Sequence, residues 1–179
     1  RMRDKPQVQS LNTQLIPRLR AALDVHRVHT ASADIDLYKR DASNIEGRAG
    51  VVCFPLTRAE VQSVISICAE FQQPFVARGS GTGLSGGATP LDGAVVISTA
   101  KMNRLISVDP VHRLAWIEPG MLNLDLTREV THLGLHFAPD PSSQQSCTIG
   151  GNVANNSGGP HCLADGVTSS HILACEVVL

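Results

Sequence analysis

Aromatic side chains are scarce in this sequence, with one Trp, one Tyr and four Phe among 179 residues. A surface that stacks nucleic-acid bases needs more of them. The near balance of 15 Lys+Arg against 16 Asp+Glu also gives no bulk attraction for polyanions, so nucleic acid is a poor candidate partner. Long apolar runs are missing too. No stretch approaches the roughly 20 apolar residues of a membrane helix, and the opening RMRDKPQVQS lacks the apolar segment of a secretory signal. The chain is expected to be cytoplasmic and not an integral membrane protein. There is no Cys-x-x-Cys: Cys53, Cys68, Cys147, Cys162 and Cys175 are odd in number and widely spaced, which suggests neither a disulfide framework nor a zinc site.

What is present is aliphatic mass and glycine. Hydrophobic residues make up 42% of the chain, enough for one globular domain with a real core. Glycine is concentrated: six lie between Gly79 and Gly93 and five between Gly150 and Gly166, as expected where backbone must turn or approach something closely. Basic residues stop at Arg128, and the 51 residues after it contain no Lys or Arg.

Leu11, Leu15, Ile16, Leu19 and Leu23 recur at helical spacing, so an N-terminal helical segment is expected within residues 1–33, with Pro17 breaking it or starting its stable part. Residues 34–50 are polar and turn-rich and read as a loop. Val51 to Phe54 then forms a strand signal, and Thr57 with Glu60 makes a capping box ahead of Val61, Val64, Ile65 and Cys68. Phe75 to Ala77 resumes as a strand, giving a βαβ unit. Ala94 to Ser98 reads as a buried strand, Leu105 to Val108 and Leu114 to Glu118 as a hairpin. Leu122, Leu126, Val130 and Leu133 predict a helix stopped by Gly134. Ile172 to Leu179 looks like a strand entering a core, which predicts that the chain is a fragment.

The first glycine cluster, RGSGTGLSGGA from Arg78 to Ala88, matches the G-x-G-x-x-G spacing at Gly81 to Gly86. Pro90 and Gly93 follow too soon for the helix that a Rossmann fingerprint requires, and no Gly-Lys-Ser/Thr follows for a P-loop. Two readings remain. One is a loop whose backbone N–H groups converge on an anion, best a pyrophosphate, with hydroxyls from Ser80, Thr82 and Ser85 and a charge from Arg78. The other is a flexible turn whose glycines only supply positive φ.

The second cluster, APDPSSQQSCTIGGNVANNSGG from Ala138 to Gly159, is small, polar and almost uncharged. Such a segment reads as a loop that suits a neutral ring approached closely by backbone; a polar loop without a ligand is the alternative, but it would not need so many small residues. Together VARGSGTGLSGGA and PDPSSQQSCTIGGNVANNSGG, with EVVL following, resemble the vanillyl-alcohol-oxidase or PCMH-type FAD-binding domain. Within that family the likeness is to the FAD-linked D-2-hydroxy-acid oxidases and dehydrogenases, of the glycolate-oxidase D-subunit and D-lactate-dehydrogenase kind.

The resemblance implies an α+β fold over residues 34–179, truncated at its C-terminal end, with two small α/β subdomains and FAD between them. Arg78, Gly79, Ser80, Gly81, Thr82, Gly83, Ser85 and Gly87 would match the family's pyrophosphate loop. Pro139, Ser143, Cys147, Thr148, Gly150, Gly151, Ala154 and Gly158 would lie beside the flavin ring and ribityl chain, and Val177 beside adenine. Thr82 stands where many members carry a flavin-linked His, so the FAD would be noncovalent. The implied reaction is oxidation of a small D-2-hydroxy acid to the 2-oxo acid by hydride transfer to flavin N5, with the cofactor carrying the hard chemistry.

Substrate-binding groups are expected in a C-terminal domain outside this chain, so the isolated piece would be inactive, and other oxidase subunits are possible partners. No catalytic residue is assigned. His132 and His136 are four apart, but Gly134 lies between them and no Glu follows His132, so no metal is expected. His161 is a candidate for a place near the flavin, with a structural or solvated His as the alternative. Neither Cys147 nor Cys162 has a nearby cation in sequence to lower its pKa. The competing function is a cofactor-free folded module acting in subunit association.

Overall fold

A computed structural model describes residues 13–179; Leu11 lies outside the described residues. Helix α1 (Leu15–Ala22) places Leu15 and Leu19, one turn apart, wholly inside the core. Pro17 sits in its first turn, where an amide has no intrahelical acceptor to lose. A single turn of 3-10 helix at Val25–Arg27 leads into β1 (Val28–His29), followed by the short helix α2 (Ser32–Asp36). Strand β2 (Ala49–Cys53), helix α3 (Arg58–Glu70), strand β3 (Phe75–Arg78) and strand β4 (Ala94–Ser98) complete the first layer.

The sheet runs β1-β2-β4-β3, with β1 antiparallel to β2 and the other pairs parallel. The expected βαβ unit is present, but β4 is inserted between its two strands. All five residues of β4 are buried, and a strand covered on both faces belongs at the centre of a parallel sheet. Alternation, offset by an irregularity between Ala49 and Val51, divides the side chains between two faces. Val51, Cys53, Val95 and Ile97 meet Leu15, Leu19, Leu23, Val64, Ile67 and Cys68 on one face, while Ala49, Val52, Phe54 and Val96 face Ile35, Tyr38 and Val76 on the other.

Helix α3 begins as the capping box predicts. Thr57 Oγ1 accepts from the Glu60 amide at 3.2 Å, and Glu60 Oε2 reaches back to the Leu56 amide at 2.7 Å. Glu60 also takes both terminal nitrogens of Arg27, at 2.5 and 2.9 Å, tying the start of α3 to the turn before β1.

A second, smaller core lies beyond the sheet. Strands β5 (Leu105–Asp109) and β6 (Leu114–Ile117) form the expected hairpin, and α4 (Asn123–Val130) ends through a 3-10 turn at Gly134, whose φ of 70° is the left-handed stop. Helix α5 (Ile149–Asn155) follows, then α6 (Cys162–Asp165). Met121, Leu126, Val130 and Ile149 form the buried centre, with Leu105, Val108, Ile117, Leu135 and Phe137 against it.

Three expectations change. The segment 34–50 is not all loop, because α2 reaches Asp36 and β2 starts at Ala49. The second glycine cluster contains a helix, α5, made possible by Thr148 capping the Gly151 amide and by Ile149 anchoring it in the second core. Residues 172–179 form no strand: among the described residues they pair with no other strand, and Leu173, Val177 and Leu179 stand exposed. Apolar, β-branched sequence is not enough, since a strand's amides and carbonyls need a ladder beside them.

Candidate functional site

The first glycine cluster leaves the C-terminal end of β3. None of the seven backbone N–H groups from Gly79 to Ser85 donates a hydrogen bond to another described residue, although Gly79, Gly81, Thr82 and Gly83 are only partly exposed. Such a run of free, clustered donors is suited to an anion. Gly81 (φ 73°) and Gly86 (φ 76°) take the left-handed conformation that glycine adopts without strain. Ser85 and Gly87 are exposed, and a Cβ at Gly87 would meet nothing within 4 Å.

Arg78 behaves differently from the donor expected of it. Its side chain is 7% exposed and turned under the loop, where Nη1 donates to the carbonyls of Arg40 (2.9 Å) and Ala88 (3.2 Å). Its Cζ lies 5.3 Å from the centre of the Tyr38 ring. A Cβ at Gly81 would fall 2.1 Å from Arg78 Nη2, so the loop closes directly over the guanidinium. Burial pulls the Arg78 pKa down, opposed by Tyr38 and Asp41.

Asp41 faces the same loop from the segment after α2. It is 6% exposed and accepts from the Ser43 amide at 2.9 Å, while the Ala42 amide donates to Gly83 O at 3.0 Å. Burial alone would raise its pKa, but the Ser43 hydroxyl and amide, with the amides of Ala88 and Gly86, outweigh it and hold the carboxyl below its ordinary value.

The second cluster is organised by a buried amide network. Asn123 Nδ2 donates to Pro139 O and to Asn152 Oδ1, both at 2.9 Å, and Asn152 Nδ2 donates to Cys147 Sγ at 3.3 Å. Asn123, Asn152, Pro139, Cys147 and Thr148 are all buried. A fully satisfied network of this kind rigidifies the segments it joins. Ser143 O accepts the Ser146 and Cys147 amides, both at 2.8 Å, closing the turn before α5. Gly150 is needed by the fold itself, because a Cβ there would lie 2.8 Å from both Cβ and O of Pro119. A Cβ at Gly151 would lie 3.1 Å from Thr148 Oγ1, and one at Gly158 would lie 3.1 Å from Val167 and 3.2 Å from Cys162. Ala154 is exposed on α5.

The two clusters meet. A Cβ on Gly79 would lie 2.2 Å from Thr148 Oγ1, and one on Gly83 would lie 3.7 Å from the Asn155 amide, so the glycine loop rests on α5. Sixty-odd residues apart in sequence, they line one locus between the sheet and the second core. Val177 is not brought into it by any hydrogen bond and stands exposed.

Beside the second cluster, His161 Nδ1 and Asp140 Oδ2 pair at 2.5 Å. Hydrogen bonding to Asp140 and its charge raise the His161 pKa, and the same contact lowers that of Asp140. The pair borders an open cleft of about 390 Å³ with His136, Phe137, Gln144 and Asp165. His132 lies on the other side of the left-handed Gly134 and does not line that cleft. Among the described residues no group of three or more His, Cys, Asp or Glu could hold a metal ion.

Tyr38, Asp41, Asn123 and Asn152 were not singled out from the sequence. The Asp-x-Ser spacing at Asp41 and Ser43 is a turn signal that could have marked Asp41; the two asparagines carry no local signal.

Comparison with known proteins bears on this geometry. The chain is 43% identical over 127 residues to glycolate oxidase subunit GlcD of Escherichia coli strain K12, covering 71% of this chain and 26% of that one. It is 39% identical over 144 residues to the Bacillus subtilis GlcD, covering 80% and 31%, and 35% identical over 144 residues to a D-lactate dehydrogenase of Anaerostipes hadrus, covering 79% and 30%. It thus spans between a quarter and a third of these relatives' length. Alkyldihydroxyacetonephosphate synthase superposes with a TM-score of 0.81 at 18% identity, covering 89% of this chain and 32% of that one. p-Cresol methylhydroxylase superposes at 0.73 and 23% identity, covering 80% and 29%. A family described as FAD binding domain matches residues 49–179. With both glycine clusters inside that match, the chain belongs to the PCMH-type FAD-binding domain family, whose cofactor is FAD.

Proposed function

We propose that this chain is the FAD-binding portion of an oxidoreductase that converts a small D-2-hydroxy acid, of the glycolate or D-lactate type, to its 2-oxo acid. The observation that carries the reading is the contact of Gly79 with Thr148, which brings the two glycine clusters to one locus. Relatives named as glycolate oxidase subunits and a D-lactate dehydrogenase indicate the substrate class.

The residues fit the group. The free amides from Gly79 to Ser85 would take the pyrophosphate, and the backbone of Cys147 to Gly151, Pro139, Ser143, Ala154 and Gly158 would line the flavin and ribityl portion. FAD would supply the acceptor for the hydride from the substrate carbon, at N5. The chain's own residues bind it and hold it in one orientation, with the second cluster fixed by the Asn123–Asn152 network and the first seated on it where Gly79 meets Thr148. Thr82 offers no imidazole for a covalent link, so the attachment is noncovalent. Val177, exposed in the C-terminal segment, would meet adenine. Substrate-binding groups and any further oxidase subunit lie outside the described residues.

The test is a visible spectrum of the purified full chain before and after excess FAD, with unbound dye removed. Flavin bands that remain with the protein and are released by acid precipitation are the expected result. A folded chain that ignores FAD would overturn the reading in favour of a module for subunit association.

A further inference from the structure

The feature beyond simple ligand contact is what lies beneath the first loop. Arg78 is the residue from which the loop departs, yet its guanidinium turns back and bonds the carbonyls of Arg40 and Ala88, one on the segment after α2 and one at the loop's far end. No carboxylate lies within ion-pair distance of it among the described residues. Asp41, next to Arg40, accepts from the Ser43 amide and lies 3.9 Å from where a Cβ on Gly83 would stand, and the Ala42 amide holds Gly83 O. The loop is thereby held at its start, its middle and its end, while the amides from Gly79 to Ser85 have no acceptor among the described residues.

We propose that Arg78 and Asp41 form a buried brace that sets the shape of the glycine loop before any ligand arrives, with Arg78 a positioning residue behind the loop and not a ligand of the pyrophosphate. The inference rests on the proposed binding of FAD at this loop and deepens it. Nη1 alone donates to both carbonyls while the planar guanidinium lies over the Tyr38 ring, and lysine is a poor substitute here because its ammonium sits a bond short of that nitrogen and offers no planar face to the ring. A loop shaped in advance avoids the ordering entropy that a flexible glycine segment would otherwise lose on binding.

The experiment uses the full chain with Arg78→Lys, Arg78→Met, Asp41→Asn and the milder Ser43→Ala, each checked for folding by circular dichroism. Two quantities are read: backbone 15N heteronuclear NOE over residues 79–88 without ligand, and the dissociation constant for FAD. The brace predicts that Arg78→Lys and Arg78→Met both loosen the loop and weaken FAD binding by roughly tenfold or more, the worth of a charged hydrogen bond. The sign for Asp41→Asn is decisive. Removing a negative charge beside an anion site strengthens binding if long-range attraction dominates, whereas the brace predicts weaker binding and a mobile loop, with Ser43→Ala shifting both in the same direction by less.

Arg78→Lys with wild-type affinity, or Asp41→Asn with increased affinity, overturns the proposal, as does an unchanged NOE profile in the Arg78 and Asp41 variants. Should the unsubstituted chain fail to bind FAD, the functional reading falls while the NOE arm still decides the brace. If Arg78→Met or Asp41→Asn does not fold, Arg78→Lys and Ser43→Ala carry both readouts.

Discussion

The contact between Gly79 and Thr148 can be measured as a coupling energy. In Gly79→Ala the new Cβ lies 2.2 Å from Thr148 Oγ1 and 3.3 Å from its Cβ. Thr148 is 2% exposed and caps α5 through the Gly151 amide, so it has no free rotamer to retreat into. Overpacking of this kind costs about 2 kcal/mol. Thr148→Ala alone loses the cap, at about 1 kcal/mol. In the double variant the hydroxyl is gone and the two methyl groups meet at the 3.3 Å separation, tight by only a few tenths of an ångström. The pair should therefore cost about 1.5 kcal/mol less than the sum of the singles, well beyond the ~0.5 kcal/mol within which independent sites add. Replacing Gly by Ala also stiffens the unfolded chain, but this contribution is present in both arms of the cycle and cancels. Urea unfolding followed by far-ultraviolet circular dichroism, with Trp116 fluorescence as a second probe, gives the four stabilities. Additive effects would refute direct contact between the two clusters, and with it the single locus on which the functional reading stands.

Glu60→Ala removes the acceptor for the Leu56 amide and both Arg27 nitrogens, and should lower stability at neutral pH by about 2 kcal/mol in the same unfolding assay. The Arg27 hydrogen bond holds the Glu60 carboxyl below its ordinary value of 4.5 against the effect of burial, so this contribution is present above that pH and lost as pH falls through the folded-state pKa. The variant should show a shallower loss of stability in acid; an unchanged acid profile would contradict the pairing. His161, raised above its ordinary 6.5 chiefly by the hydrogen bond to Asp140, contributes stability that is full below 6.5 and is lost as pH rises through the raised value. NMR titration of His161 should show a midpoint that falls in Asp140→Asn, and a midpoint unmoved by that substitution would exclude the pair.

Much of the local architecture is legible in the sequence because its causes are local. Thr57 and Glu60 start α3, Gly134 stops the helix after α4, and the alternation in β2 and β4 sorts their side chains. Where the cause is a distant partner, the sequence misleads. IGGNVAN has two glycines and a poor helical tendency, yet it is helical because Thr148 caps it and Ile149 has a core to enter. ILACEVVL has strong strand character, but its amides have no neighbouring strand among the described residues.

The candidate site divides along the same line. Spacing and composition were enough to mark both glycine clusters, since glycine is demanded wherever backbone turns sharply or approaches closely; the resemblance of the two motifs to a known family is what connected them with a PCMH-type FAD-binding domain. That Gly150 serves Pro119, that Arg78 lies beneath its loop with Asp41 close to Gly83, and that Gly79 rests on Thr148 are decisions of tertiary structure. They depend on contacts between segments tens of residues apart, and no short window of sequence encodes which surfaces close packing will bring together.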